Sequence, residues 1–206
     1  MTAMHHTDDR LTILLDQLDA VWEMLDARLR ERKPFQSEVG SAPPTLTDEE
    51  YFWEPAPGCW SIRRRAEART ARAHGRDEWV MDYDSPEPQP PPFTTIAWRL
   101  GHIALWQLMR YDYTFGERSL RIDEIAWPST AQDAVRLVET SYRQWRTALE
   151  GITTADLDMV GRSQMPYGLD PHVRFVDLLA WTNTEFAHHA AEVALLRDLY
   201  RVRAAG

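Results

Sequence analysis

The chain has 206 residues, 44% of them hydrophobic and 27% charged, a formal net charge of -9 and one cysteine, Cys59. This is the make-up of one soluble domain spanning residues 1–206, and no run approaches the roughly 20 apolar residues of a membrane span; the acidic field also opposes phosphate backbones and anionic surfaces, so neither nucleic acid nor membrane is expected as a partner. A single cysteine excludes a disulfide framework and any multi-cysteine zinc site, and a start without a basic and then apolar segment makes the cytoplasm the expected compartment.

In chain order, Leu11, Leu14, Leu15, Leu18, Trp22, Leu25 and Leu29 recur at three- and four-residue intervals. They predict a helix over residues 8–32 with Thr7 as N-cap. From Pro34 to Pro92, proline, glycine and serine interrupt any regular pattern, although Tyr51, Phe52, Trp53 and Trp60 carry too much apolar area to stay in solvent. That stretch reads as a long irregular segment packed back on the core, with a short helix within residues 66–83 and a stiff extended run from Ser85 to Pro92. The arginines at 63, 64, 65, 69 and 72 form the one local basic cluster. Either a solvated face or a small anion site accounts for it.

A second long helix is expected over residues 93–116, capped by Thr94 or Thr95 and stopped by Gly116. His102 shares its inward face with Trp98, Leu105, Trp106, Met109 and Tyr113. A third, over 130–150, has Ser129 and Gln132 at capping-box spacing and Gly151 past its end. Asp170-Pro171 opens a fourth helix, 171–202. The expected fold is all-α, a four-helix bundle with a long irregular segment between its first and second main helices.

The fourth helix raises the question of chemistry. At about 100° per residue, Phe175, Leu178, Thr182, Glu185, Phe186, His189, Val193, Leu196 and Tyr200 gather on one stripe. A carboxylate and an imidazole four residues apart project from successive turns of one face, and an ionised carboxylate there requires a charge partner. His188 lies about 100° away from that face. With His102 from the second helix, His102, Glu185 and His189 make two imidazoles and a carboxylate with an open coordination position, the pattern of a catalytic metal site. The donors suit zinc or nickel better than copper(I) or an iron-sulfur cluster. Arg110 and Tyr113, on the same helix as His102, are candidates to orient or neutralise an acidic substrate, and each also reads as a structural residue. Glu192 and Arg197 read as surface groups or partners of the ligands, and Cys59 as inert.

The segments G-H-I-A-L-W-Q-L-M-R, from 101, and E-F-A-H-H-A-A-E-V-A-L-L-R-D-L-Y-R, from 185, resemble the two signature helices of the DinB-like four-helix-bundle superfamily. Its members include metal-dependent thiol transferases. By position, the resemblance places metal-ligand roles on His102 and His189. Where many members have a further histidine, this chain has Glu185, which is similar to the His, Glu, His set of mycothiol-dependent maleylpyruvate isomerases. Those isomerases carry an additional C-terminal domain, whereas this sequence ends a few residues after the fourth predicted helix. The resemblance implies a divalent metal and a low-molecular-weight thiol such as mycothiol as cofactors, a small-molecule electrophile as substrate, and a homodimer. The alternative is a non-enzymatic stress-related or ligand-binding bundle in which the same residues hold a structural metal or form a buried polar cluster.

Overall fold

The computed structural model describes residues 9–35, 44–166 and 170–206; the proposed cap Thr7 lies outside them. Four long helices carry the fold: α1 (Asp9–Arg30), α3 (Ile96–Phe115), α4 (Ala131–Glu150) and α6 (Phe175–Ala204). Between them stand α2 (Asp48–Phe52), strands β1 (Ile62–Arg64) and β2 (Trp79–Met81), and α5 (Thr154–Asp158). The helix α3 packs on α4 and α6, and α1 packs on α6 and α4, so the four close into a ring. Inside it, Leu25, Leu29, Leu100, Val138 and Val193 are almost completely removed from water. Each such side chain contributes about 1.5–3 kcal/mol by burial. Trp22 of α1 stacks on Tyr142 of α4 with ring centroids 4.8 Å apart.

Helix ends follow local chemistry. The Thr95 side chain accepts from the Trp98 amide at the start of α3, and Gly116 ends it. On α4 the cap is Thr130, whose side chain accepts from the Asp133 amide, one residue later than the expected Ser129 and Gln132 pair. Thr130 has the extended backbone (φ -137°, ψ 153°) that aims its oxygen at that amide. Pro171 sits in a separate 3-10 turn, and α6 begins at Phe175 without a side-chain cap. Its first amide instead donates to the Met159 carbonyl at 2.9 Å, so backbone takes the place of a cap.

The segment between α1 and α3 is more ordered than its composition suggests. No helix spans residues 66–83; a 3-10 turn at Arg65–Glu67 lies between the two strands of an antiparallel sheet, which sets Ile62 opposite Met81 and Arg63 opposite Val80. Asp82, fully buried, organises it by accepting from the Ser61 amide at 3.1 Å, Arg63 Nε at 2.6 Å and the Arg69 amide at 3.0 Å. Arg63 is thus a buried partner and not part of a solvated face. Gly101 lets this sheet reach α3 just before His102: a Cβ there would stand 2.8 Å from Ile62 Cδ1. Among the described residues, no helix is long and apolar enough to cross a membrane.

Candidate metal centre between α3 and α6

The packing of α3 against α6 puts the rings of His102 and His189 edge to face, with centroids 4.7 Å apart. Glu185 Oε2 stands 3.6 Å from His189 Nε2. His189 is 9% exposed and Glu185 33%, so the carboxylate lies at the border of the buried face and not in its middle, as helix phase alone suggested. The neighbouring helix covers the His189 side of the stripe more deeply. His188, 63% exposed, faces away and approaches Glu192 at 3.6 Å.

Hydrogen bonds set what each ring can offer. His189 Nδ1 lies 2.7 Å from Glu192 Oε2 and 3.1 Å from Arg99 Nη1; the shorter contact, to a carboxylate that can only accept, belongs to the tautomer with the proton on Nδ1, in which the Arg99 contact is not a hydrogen bond. In the neutral ring this leaves a lone pair on Nε2, which is buried without a hydrogen-bond partner. Two acceptors, that lone pair and the Glu185 carboxylate, then face each other without a donor between them. Either a bound cation or a proton on Nε2 reconciles them. Arg99 completes this side, with Nε 3.0 Å from Glu192 Oε2 and Nη1 3.1 Å from His189 Nδ1. Burial pushes the Glu192 carboxyl up, but the His189 hydrogen bond and the Arg99 charge carry it net below its ordinary range. Burial also lowers the Arg99 guanidinium, against the pull of Glu192.

His102 is held differently. Trp106 Nε1 donates to its Nε2 at 2.7 Å, which places the neutral ring's proton on Nδ1, a buried atom without a partner. Burial, then the proximity of His189 and Arg99, holds this imidazole well below its ordinary pKa. It stays uncharged at neutral pH, the form a metal requires. Two imidazoles and a carboxylate therefore fit a divalent ion by donor type, and the unpartnered Nε2 of His189 has a lone pair to offer it. As placed, however, among the described residues no three His, Cys, Asp or Glu side chains form a group that could hold one. The Trp106 bond is the obstacle, because it occupies the one lone pair of neutral His102.

Two cavities flank this arrangement, and Trp106 lines both. One, of about 30 Å³, is bordered by Glu185, His189, Trp181 and Arg110. Arg110 is 2% exposed, sits over the Trp106 and Trp181 rings at 5.3 and 5.9 Å, and donates to Ser163 Oγ at 3.4 Å. The other, of about 340 Å³, is bordered by His102. Tyr113 lines neither and donates to the Leu120 carbonyl at 3.4 Å. Cys59 is fully buried, its thiol bonded to the Ala56 carbonyl at 2.9 Å and pushed up by burial, so it is not a nucleophile. Arg197 is no surface residue: it is completely buried against Glu50. Sequence reading missed Arg99, although its position three residues before His102 puts it on the same helix face.

No curated protein and no solved structure matches the sequence. The family model described as the DinB superfamily matches residues 44–193, a span that takes in α3, α4 and most of α6 with His102, Glu185 and His189. That match covers well over half of the chain, and the protein belongs to the DinB superfamily.

Proposed function

We propose that the protein is a metal-dependent transferase that joins a low-molecular-weight thiol to a small electrophile. Membership of the DinB superfamily fits a metal-dependent enzyme in general terms; the thiol and the transfer come from the resemblance of the two helix segments to thiol transferases. The observation that carries the reading is the His189 Nε2 lone pair, buried and unpartnered, 3.6 Å from the Glu185 carboxylate and beside a second imidazole kept neutral by burial. His102, Glu185 and His189 would hold the ion. When bound there, a divalent ion stabilises a thiolate at neutral pH. The chain's own contribution is to fix the donors: Glu192 sets the His189 tautomer, and Arg99 holds Glu192 in place. Trp106 and Trp181 wall the smaller cavity and limit water around Arg110, a permanent positive charge able to orient an acidic group. In the transfer, the thiol gives up its proton to solvent, a bond forms from sulfur to the electrophilic carbon, and the pair of the carbon–leaving-group bond, or of the π bond in an addition, departs with the leaving group or passes to the neighbouring acceptor, which solvent protonates.

Metal analysis of untagged protein, followed by a thiol-conjugation assay with mycothiol and glutathione against a generic aryl halide, tests the reading. The expected result is near-stoichiometric metal and a conjugation rate abolished by His102→Ala and His189→Ala. Glu185→Gln keeps shape but removes charge, and its residual rate should depend on added metal. The Trp106 bond to His102 Nε2 favours a second reading, a metal-free buried polar cluster. Protein that takes up no zinc or nickel, with all three variants unchanged in every thiol reaction, would establish that one instead.

A further inference from the structure

The cavity of about 340 Å³ that His102 borders has a polar rim which the metal chemistry leaves unused. Arg72, His74 and Ser85 supply it. The neighbouring arginines of the cluster are committed: Arg63 to Asp82, Arg64 to Glu78 and Arg69 to Glu54. Arg72 is exposed, and among the described residues it has neither an ion pair nor a hydrogen bond. The nearby Asp123 carboxylate is engaged elsewhere, 2.8 Å from His74 Nδ1 and 4.0 Å from Arg121. Below the rim the walls are apolar and buried: Leu105, Met109, Ile122 and Met165. An uncommitted guanidinium at the mouth of an apolar cavity, in a chain of net charge -9, is a local reversal of the protein's field. Its fork geometry matches a carboxylate.

We propose that this cavity is a subsite for a small organic anion, with its carboxylate on Arg72 and its apolar body against Leu105, Met109 and Ile122. Since His102 borders the same cavity, the anion is the electrophile of the transfer, an assignment that rests on the function proposed above. The binding itself does not depend on metal.

The test uses the full chain freed of metal with a chelator, and titration calorimetry with 4-phenylbutyrate and its uncharged amide. The acid should bind at least roughly tenfold more tightly than the amide, the worth of one charge-assisted hydrogen bond. Arg72→Gln should bring the two to equal affinity. Arg118→Gln, at another exposed arginine outside the cavity, should leave the preference intact. Equal binding of acid and amide by the unaltered protein, binding of neither, or a preference that survives Arg72→Gln would each overturn the subsite. Absence of metal uptake alongside an Arg72-dependent preference would sink the transferase and leave the subsite standing. Metal uptake and conjugation without that preference would do the reverse.

Discussion

Two stretches of α6 bury polar groups in opposite ways. At Arg197 the network is closed: the guanidinium bonds Glu50 through Nε at 2.7 Å and Nη2 at 3.0 Å and also reaches the Arg28 carbonyl, so a completely buried charge meets a carboxylate and backbone. Two turns earlier, around His189, the network is open: His189 Nε2 and His102 Nδ1 are buried with no partner. Buried polar atoms are almost always satisfied, and a lone exception costs about 1–3 kcal/mol. A closed network on the same helix shows that this fold can satisfy such groups. On the function proposed above the open one would take up a cation, and stability and function should then separate between the two.

The largest effect on stability is expected at the closed end. Arg197→Met leaves Glu50 as an uncompensated buried charge and should cost about 3–5 kcal/mol in urea unfolding. The double change Glu50→Leu with Arg197→Met should recover most of that loss, because both charges are then gone. If the single and double variants unfold alike, the pair is not an anchor. At the open end the pattern inverts. His102→Ala or His189→Ala should lower affinity for zinc by about 100-fold or more in competition with a chromophoric chelator, since two remaining donors hold an ion poorly. Their urea midpoints should move less than that of Arg197→Met, because each breaks one hydrogen bond, to Trp106 or Glu192, but leaves no completely buried charge without a partner.

Smaller effects sharpen the contrast. Glu192→Gln keeps a hydrogen-bond acceptor on His189 but loses the carboxylate, and should weaken zinc binding by about 10- to 100-fold without abolishing it. Trp106→Phe acts in the other direction. It frees the His102 lone pair, so zinc should bind more tightly, by up to about tenfold for one hydrogen bond no longer broken. Unaltered affinity in Trp106→Phe would mean that this bond is not the barrier to closing the site.

The main helices were legible because Leu11 to Leu29 and the corresponding residues of the other three repeat with helical spacing, a signal carried by neighbours in sequence. The same phase brought His102 and His189 to inward faces. What was not legible depends on partners far apart in the chain. Arg63 reads as one of five exposed arginines until Asp82, nineteen residues on, is seen buried against it. Arg197 reads as a surface group or a partner of the ligands until Glu50, 147 positions away, appears beside it. The link from Arg99 to Glu192 exists only once α3 and α6 are docked. Helix phase also gives a direction but not a depth, which is why Glu185 proved to be at the edge of the buried face. The absence of a helix at 66–83 follows from the same limit, since Asp82 holds that stretch together through contacts that no local pattern announces.

The smallest expected effect concerns a buried ion pair at the end of α1, where Glu23 accepts from Arg32 at 2.5 and 2.9 Å and from the Phe35 amide at 2.7 Å. The Arg32 hydrogen bond, opposed by burial and aided by the Phe35 amide, holds the Glu23 carboxyl below its usual range. In the unfolded chain it returns to about 4.3. Between the lowered folded value and that unfolded one the unfolded chain binds more protons, so stability rises with pH across the window. The contribution is fully present above the unfolded value and is lost as pH falls through the folded one. Glu23→Gln should therefore be less stable than the unaltered protein at pH 7, and the difference should shrink below about pH 4.3. Urea midpoints of both proteins taken from pH 7 down to pH 3 provide the measurement. Parallel curves with no convergence at acid pH would show that the Glu23 carboxylate is not held ionised by Arg32, and that pairing of buried charge is not what distinguishes this part of the bundle from the site on α6.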